Sequence, residues 1–126
     1  MNGGDTLIIP VPSASLDSHL WMVISDPSQS DRCLLVNLTS WRADKDQACV
    51  VNPGEHPFIS KKSCVNYRDA KWCPTADLDA LLASNRINKH DPLSPELLKR
   101  IRNSALDSRM TMEHAQILSD QGLVED

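Results

Sequence analysis

The chain has 126 residues, a formal net charge of −4 and 40% hydrophobic residues, with three Trp, one Tyr and one Phe. That length predicts one domain with a modest aliphatic core. It excludes a helical membrane protein, since no apolar run approaches the ~20 residues a span needs, and the acidic balance argues against a non-specific nucleic-acid binder.

Met1-Asn2-Gly3-Gly4-Asp5 lacks the basic and apolar regions of a signal peptide, so a cytoplasmic location is the expectation. Cys33, Cys49, Cys64 and Cys73 are then expected to stay reduced. None forms a Cys-x-x-Cys pair, and Cys33 and Cys64 sit within apolar patterns where a thiol packs as a small hydrophobe. No metal or other cofactor is expected.

Taken in order, Thr6 to Pro12 reads as a first strand whose prolines place its far end at an edge, and Ser13 to Ser18 as a loop. His19 to Ser25 is a second strand, followed by the turn cluster Asp26 to Asp31. Cys33 to Trp41 is the strongest strand signal, apolar without a 3.6 period, hence buried on both faces. It ends in Thr39-Ser40, before the charged loop Arg42 to Gln47. Hydroxyls at such a junction either cap the strand locally or meet solvent from a rigid support.

Cys49 to Val51 is a short strand, and Asn52 to Pro57 a turn stiffened by Pro53 and Pro57. Phe58-Ile59 re-enters the core, Ser60 to Lys62 is exposed, and Ser63 to Tyr67 is a further strand. Short strands joined by short turns predict a small barrel or sandwich. After Pro74 the period changes. Thr75 is placed to cap a helix carrying Leu78, Leu81 and Leu82, and Ser84 to Asp91 is polar. Ser94-Pro95-Glu96 is a helix start, with a serine cap, proline at the first position and an acid in the first turn. Leu97, Leu98, Ile101, Ala105 and Leu106 form its apolar stripe, with Lys99, Arg100 and Arg102 opposite. A last helix is expected from Thr111 to about Asp120, stopping at Gly122 before a frayed end.

This order of elements resembles the PemK/MazF/Kid toxin family, small SH3-like barrels with a C-terminal helix, related in fold to the gyrase poison CcdB. The resemblance runs from Gly4 to about Leu106 and is carried by Gly4-Asp5 before a strand, Trp21 to Ser25, Leu35 to Ser40 with its Thr-Ser ending, Ser63 to Tyr67, and the helix from Pro95. His19-Leu20 stands where the family usually has Arg-Pro, and residues 107–126 look like an added helical tail of the same domain.

The resemblance implies the toxin of a type II toxin–antitoxin system: a metal-independent endoribonuclease that cleaves RNA through attack by the 2′-hydroxyl. It also implies a homodimer and a cognate antitoxin partner. Such chemistry needs a proton acceptor, a proton donor and hydrogen-bond donors for the crowded phosphate. His19 falls at the family's arginine position and, unlike arginine, a histidine can give or take a proton near neutral pH. Thr39 matches the family's threonine. Arg42 is placed to clamp phosphate in the missing arginine's stead, and His56 lies in the stiff turn beside Glu55, which is placed to orient it. His19, Thr39, Arg42 and His56 form the candidate catalytic set. Ser40, Lys61, Lys62 and Tyr67 form the candidate RNA-binding set, Tyr67 as a base-stacking ring. The alternative is a non-catalytic barrel that binds a protein partner, and a third reading is a zinc site built from Cys49, Cys64 and His56.

Overall fold

The computed structural model describes residues 1–10 and 18–125, the side chain of Ser18 excepted. The predicted far end of strand one, Val11-Pro12, and nearly all of the Ser13–Ser18 loop lie outside the described residues. Six strands, β1 Thr6–Pro10, β2 Ser18–Val23, β3 Arg32–Ser40, β4 Val50–Val51, β5 Ser63–Pro74 and β6 Asn88–His90, form one antiparallel sheet in the order β4-β5-β3-β2-β1-β6. The sheet curls into a half-barrel, and three helices accompany it: α1 Thr75–Ala83, α2 Pro95–Ser104 and α3 Met112–Asp120. The mainly β class with C-terminal helices is the one the sequence predicts.

Strand alternation sorts the side chains onto two faces. Leu34, Val36 and Leu38 of β3 join Leu20, Met22, Val51, Val65 and Tyr67, and this face is closed by Leu97 and Ile101 of α2 and Leu118 of α3. Cys33 and Leu35 point the other way, onto Leu7, Val23 and Leu78 of α1. That second cluster covers one half of β3. Asn37 and Thr39 follow in the same alternation beyond it, and so carry the polar end of the strand.

The half-barrel is drawn together by side chains from α2 and the loops rather than by a continuous ladder. Arg100 donates to the Val50 carbonyl and makes a bidentate pair with Glu55, at 2.7 and 2.9 Å. His56 Nε2 donates to the Asp91 carbonyl at 2.5 Å, and Thr6 Oγ1 donates to the same oxygen at 2.7 Å. Two opposite edges, β4 and β6, are thereby linked. At the start of β1, Gly4 holds φ at +93°, and a Cβ there would stand 3.3 Å from Leu98 Cδ2. The tight seat of α2 therefore requires glycine at this position.

Several expectations are corrected. The late strand does not stop at Tyr67 but continues as β5 to Pro74, because a register shift between Leu35 and Asn37 lets its charged second half pair with the start of β3. The polar connection from Ser84 contains β6, paired with β1 through Thr6↔His90 and Ile8↔Asn88. Thr75 is the first residue of α1 and not its cap; its hydroxyl contacts Cys33 Sγ at 3.1 Å. Arg102 faces inward, its Nε donating to the Ile24 carbonyl at 2.7 Å. Leu106 is 42% exposed and so lies outside the stripe's buried part. The C-terminal end is packed, with Leu123 and Val124 against the core and Glu125 N–H donating to Asn103 Oδ1. Among the described residues no helix is long and apolar enough to cross a membrane.

Candidate functional site

The β2–β3 ladder runs from Val23↔Leu35 to Trp21↔Asn37 and ends there. Where it ends, a pocket of about 370 Å³ is lined by His19, Leu20, Leu38, Thr39, Ser40, Phe58, Ile59, Ser60, Lys61 and Ser63. Four of the eight candidate residues, His19, Thr39, Ser40 and Lys61, meet on this one surface.

The His19 ring is half-buried and bonds to the Leu38 carbonyl through Nδ1 at 3.1 Å. A carbonyl only accepts, so Nδ1 carries the proton. In the neutral ring Nε2 is then the unprotonated nitrogen, and it has no hydrogen-bond partner among the described residues. The Leu38 carbonyl, one residue before Thr39, thus fixes the tautomer in which Nε2 is left free to accept.

Thr39 Oγ1 accepts a hydrogen bond from Lys45 Nζ at 2.5 Å, and the same ammonium donates to the Ser40 carbonyl at 3.1 Å. Because the threonine oxygen accepts from lysine, its own O–H is free to donate outward. Lys45 makes no salt bridge among the described residues and its hydrogen bonds go to neutral oxygens, while Asp44 stands near enough to feel its charge. The loop from Trp41 to Gln47 folds back to place it there: Gln47 Nε2 donates to the Arg42 and Lys45 carbonyls, and Trp41 Nε1 donates to Gln47 Oε1.

On the other side of Thr39 lies a second pocket, of about 380 Å³, lined by Thr39, Asp44, Lys45, Asp46, Cys64, Val65, Asn66, Arg68, Asp69 and Arg109. Of these, Asp46 is committed to structure. Its carboxylate accepts from the backbone N–H of Ala48 and of Arg109, tying the loop to the segment ahead of α3. Thr39 and the ammonium on it thus form a ridge between two polar hollows.

The remaining four candidates lie elsewhere. Arg42 is about two-thirds exposed and its guanidinium pairs with Asp44 at 3.1 Å within the loop. Lys62 lies over the Trp41 ring, 4.1 Å from its centroid. Tyr67 is fully buried and donates through its hydroxyl to the Ile101 carbonyl at 2.6 Å; burial pushes its pKa far up. A ring inside the core cannot stack on a base, which corrects the RNA-binding assignment of Tyr67. His56 is 3% exposed with both nitrogens engaged: Nε2 on Asp91, and Nδ1 accepting from Phe58 N–H at 3.1 Å. Glu55 does not orient it, because the Glu55 carboxylate is taken by Arg100, whose hydrogen bonds hold that carboxyl below its ordinary range. With no free nitrogen and no access, His56 is a clasp between the 52–57 turn and β6 and not part of the pocket chemistry.

The zinc reading has no support in the geometry. Cys49 belongs to the core face, whereas Cys64, one strand position from core-facing Val65, lines the second pocket. Among the described residues no three His, Cys, Asp or Glu side chains are grouped to hold a metal ion. Lys45 is the residue that sequence reasoning missed. It lies in a loop whose charges read as solvated, and only the fold-back of that loop brings its ammonium to Thr39. No protein-family model matches the chain, and no curated protein matches it either.

Proposed function

We propose that the protein is a metal-independent endoribonuclease resembling the PemK/MazF/Kid toxins, with His19, Thr39 and Lys45 as its catalytic residues. The observation that carries this reading is the conjunction around Thr39 at the end of the β2–β3 ladder: an imidazole with a free Nε2 beside the first pocket, an outward hydroxyl between the two hollows, and on that hydroxyl an ammonium that lines the second. His19 Nε2 takes the proton of the RNA 2′-hydroxyl. The 2′ oxygen attacks the adjacent phosphorus, the bond from phosphorus to the 5′ oxygen breaks, and the departing 5′ oxygen takes a proton from solvent water, so the products are a 2′,3′-cyclic phosphate and a 5′-hydroxyl. Thr39 O–H and Lys45 Nζ donate to the phosphate oxygens as charge builds on them, the role Lys45 takes over from the missing arginine. Ser40 and Lys61 line the same pocket and bind the neighbouring backbone.

Incubating the purified protein with mixed RNA tests this. Cyclic-phosphate ends that vanish with His19→Ala and Thr39→Ala support the reading; full cleavage by both variants sinks the site. A toxin role, an antitoxin partner and a homodimer follow from the same resemblance and stand or fall with it.

One observation favours the second reading, a barrel that binds a protein partner without catalysis. Trp41, which follows the pocket residue Ser40 in the chain, is an exposed aromatic, a residue type suited to a protein contact. Under this reading the RNA stays intact and Trp41→Ala abolishes partner binding.

A further inference from the structure

Cys33 and Cys73 face each other directly across the β3–β5 ladder, in the register Arg32↔Pro74, Cys33↔Cys73, Leu34↔Trp72. Both side chains belong to the cluster under α1, so both point to the same face. Thr75 N–H donates to the Asp31 carbonyl at 2.9 Å, the next bonded position along the same two strands. Ladder bonds recur every second residue, so Cys33 and Cys73 occupy a hydrogen-bonded pair, with Cα atoms about 5.5 Å apart. That Cα separation lies within the disulfide range, and the Cβ atoms, about 5.5 Å apart in such a pair, must close by about 1 Å for the bond to form. Cys33 is fully buried, whereas Cys73 is partly open to solvent.

The other two cysteines provide an internal contrast. Val50 pairs with Cys64, and Val65 N–H bonds the Cys49 carbonyl, so Cys49 stands beside Val65 and not Cys64. Cys49 and Cys64 therefore point to opposite faces and cannot be joined without breaking the β4–β5 ladder.

We infer that Cys33 and Cys73 are a dithiol modification site that a low-molecular-weight disulfide converts to a cross-strand disulfide. The reaction begins at Cys73, the accessible member. Its thiolate attacks one sulfur of the small disulfide, releasing the first small thiol and leaving a mixed disulfide. The Cys33 thiolate then attacks the Cys73 sulfur and releases the second small thiol. The protein loses two electrons and two protons, and the oxidant gains them as two thiols. Burial raises both thiols above the ordinary cysteine value, so the exchange is slow at neutral pH and faster at alkaline pH. The inference is independent of any RNA chemistry.

The test is to incubate the native protein with glutathione disulfide at about pH 9.5, above the ordinary cysteine value, so that the thiolate share of the raised thiols is larger. Free thiols are then alkylated and the trypsin fragments mapped. Cleavage after Arg32, Arg42, Lys71 and Arg86 puts Cys33 in fragment 33–42 and Cys73 in fragment 72–86, apart from Cys49 and Cys64. The expected result is a mass about 2 Da lower, fragments 33–42 and 72–86 linked, and both changes reversed by dithiothreitol. The urea midpoint of the oxidised protein rises by about 1–2 M, since the bond closes a long loop. Native protein that keeps four free thiols, a stable mixed disulfide on Cys73, or a link through Cys49 or Cys64 would each overturn the inference. The map is read on the unaltered chain, so no variant has to fold.

Discussion

Replacing Tyr67 with Phe separates a structural from a functional tyrosine. Tyr67 has no exposed surface, and its hydroxyl donates to the Ile101 carbonyl at 2.6 Å. Ile101 lies in the last turn of α2, whose final four carbonyls lack i+4 partners within the helix. The N–H of Ala105 bonds to the Arg102 and Asn103 carbonyls, so Tyr67 caps the Ile101 carbonyl from the sheet. Tyr67→Phe keeps the ring and its packing and removes only this donor. A buried carbonyl left without its partner costs about 1–3 kcal/mol, and about 2 kcal/mol is expected here because the site is closed to water. With a urea dependence near 2 kcal/mol per molar for a chain of this size, the midpoint falls by about 1 M. Equilibrium unfolding followed by tryptophan fluorescence reads it, with RNA binding measured on the same samples. A midpoint within about 0.2 M of the parent would refute the capping argument, and weakened RNA binding at full stability would return Tyr67 to the RNA surface.

Three further outcomes are expected. In an RNA cleavage assay, His19→Ala lowers the rate by about 10²–10⁴-fold as for a lost general base, and Lys45→Ala by about 10²-fold as for a lost phosphate donor; rates within twofold of the parent for Lys45→Ala contradict its role. His56→Ala, read by thermal denaturation, destabilises by about 3 kcal/mol, since it leaves Phe58 N–H unpaired and a void beside His90, while RNA cleavage at a temperature where the variant is folded stays at the parent rate. Hydrogen bonds from Arg100 depress the Glu55 carboxyl below its ordinary value of 4.5, so this pair's contribution is complete above that pH and is lost as the pH falls through the lower folded value. Arg100 is nearly half exposed, which limits the contribution to under about 1 kcal/mol. The stability gap between parent and Arg100→Ala, measured in urea, narrows between pH 5 and pH 3, and a gap independent of pH would show that the pair is not the source.

The elements legible in the sequence are those whose burial is written in apolar residues. Leu34 to Leu38 announced the central strand, and Ser94-Pro95 announced α2, whose serine side chain accepts from Leu97 N–H. What escaped was held by partners distant in the chain. Asn88-Lys89-His90 has no strand pattern of its own and pairs only because β1 offers an edge. Arg68 to Lys71 reads as solvated, yet is carried into β5 by the register shift. The same physics governed the site. His19 and Thr39 stand out as a histidine and a hydroxyl at strand ends, whereas Lys45 depends on a loop fold-back and His56 on a carbonyl 35 residues away.

The linkage of β1 to β6 also sets the order in which the chain assembles. Thr6 donates to the Asp91 carbonyl across 85 residues of sequence, so the first strand's outer edge waits for a partner made long after it. During synthesis β1, β2 and β3 can form a meander, but β1 stays open on one side and α2 has nowhere complete to sit. Closing so long a loop comes late and slowly. Until it closes, the apolar face meant for Leu97 and Ile101 stays exposed on the growing chain. Exposed apolar surface of this kind favours aggregation in general, so this is the interval in which a chaperone is expected to act on the chain.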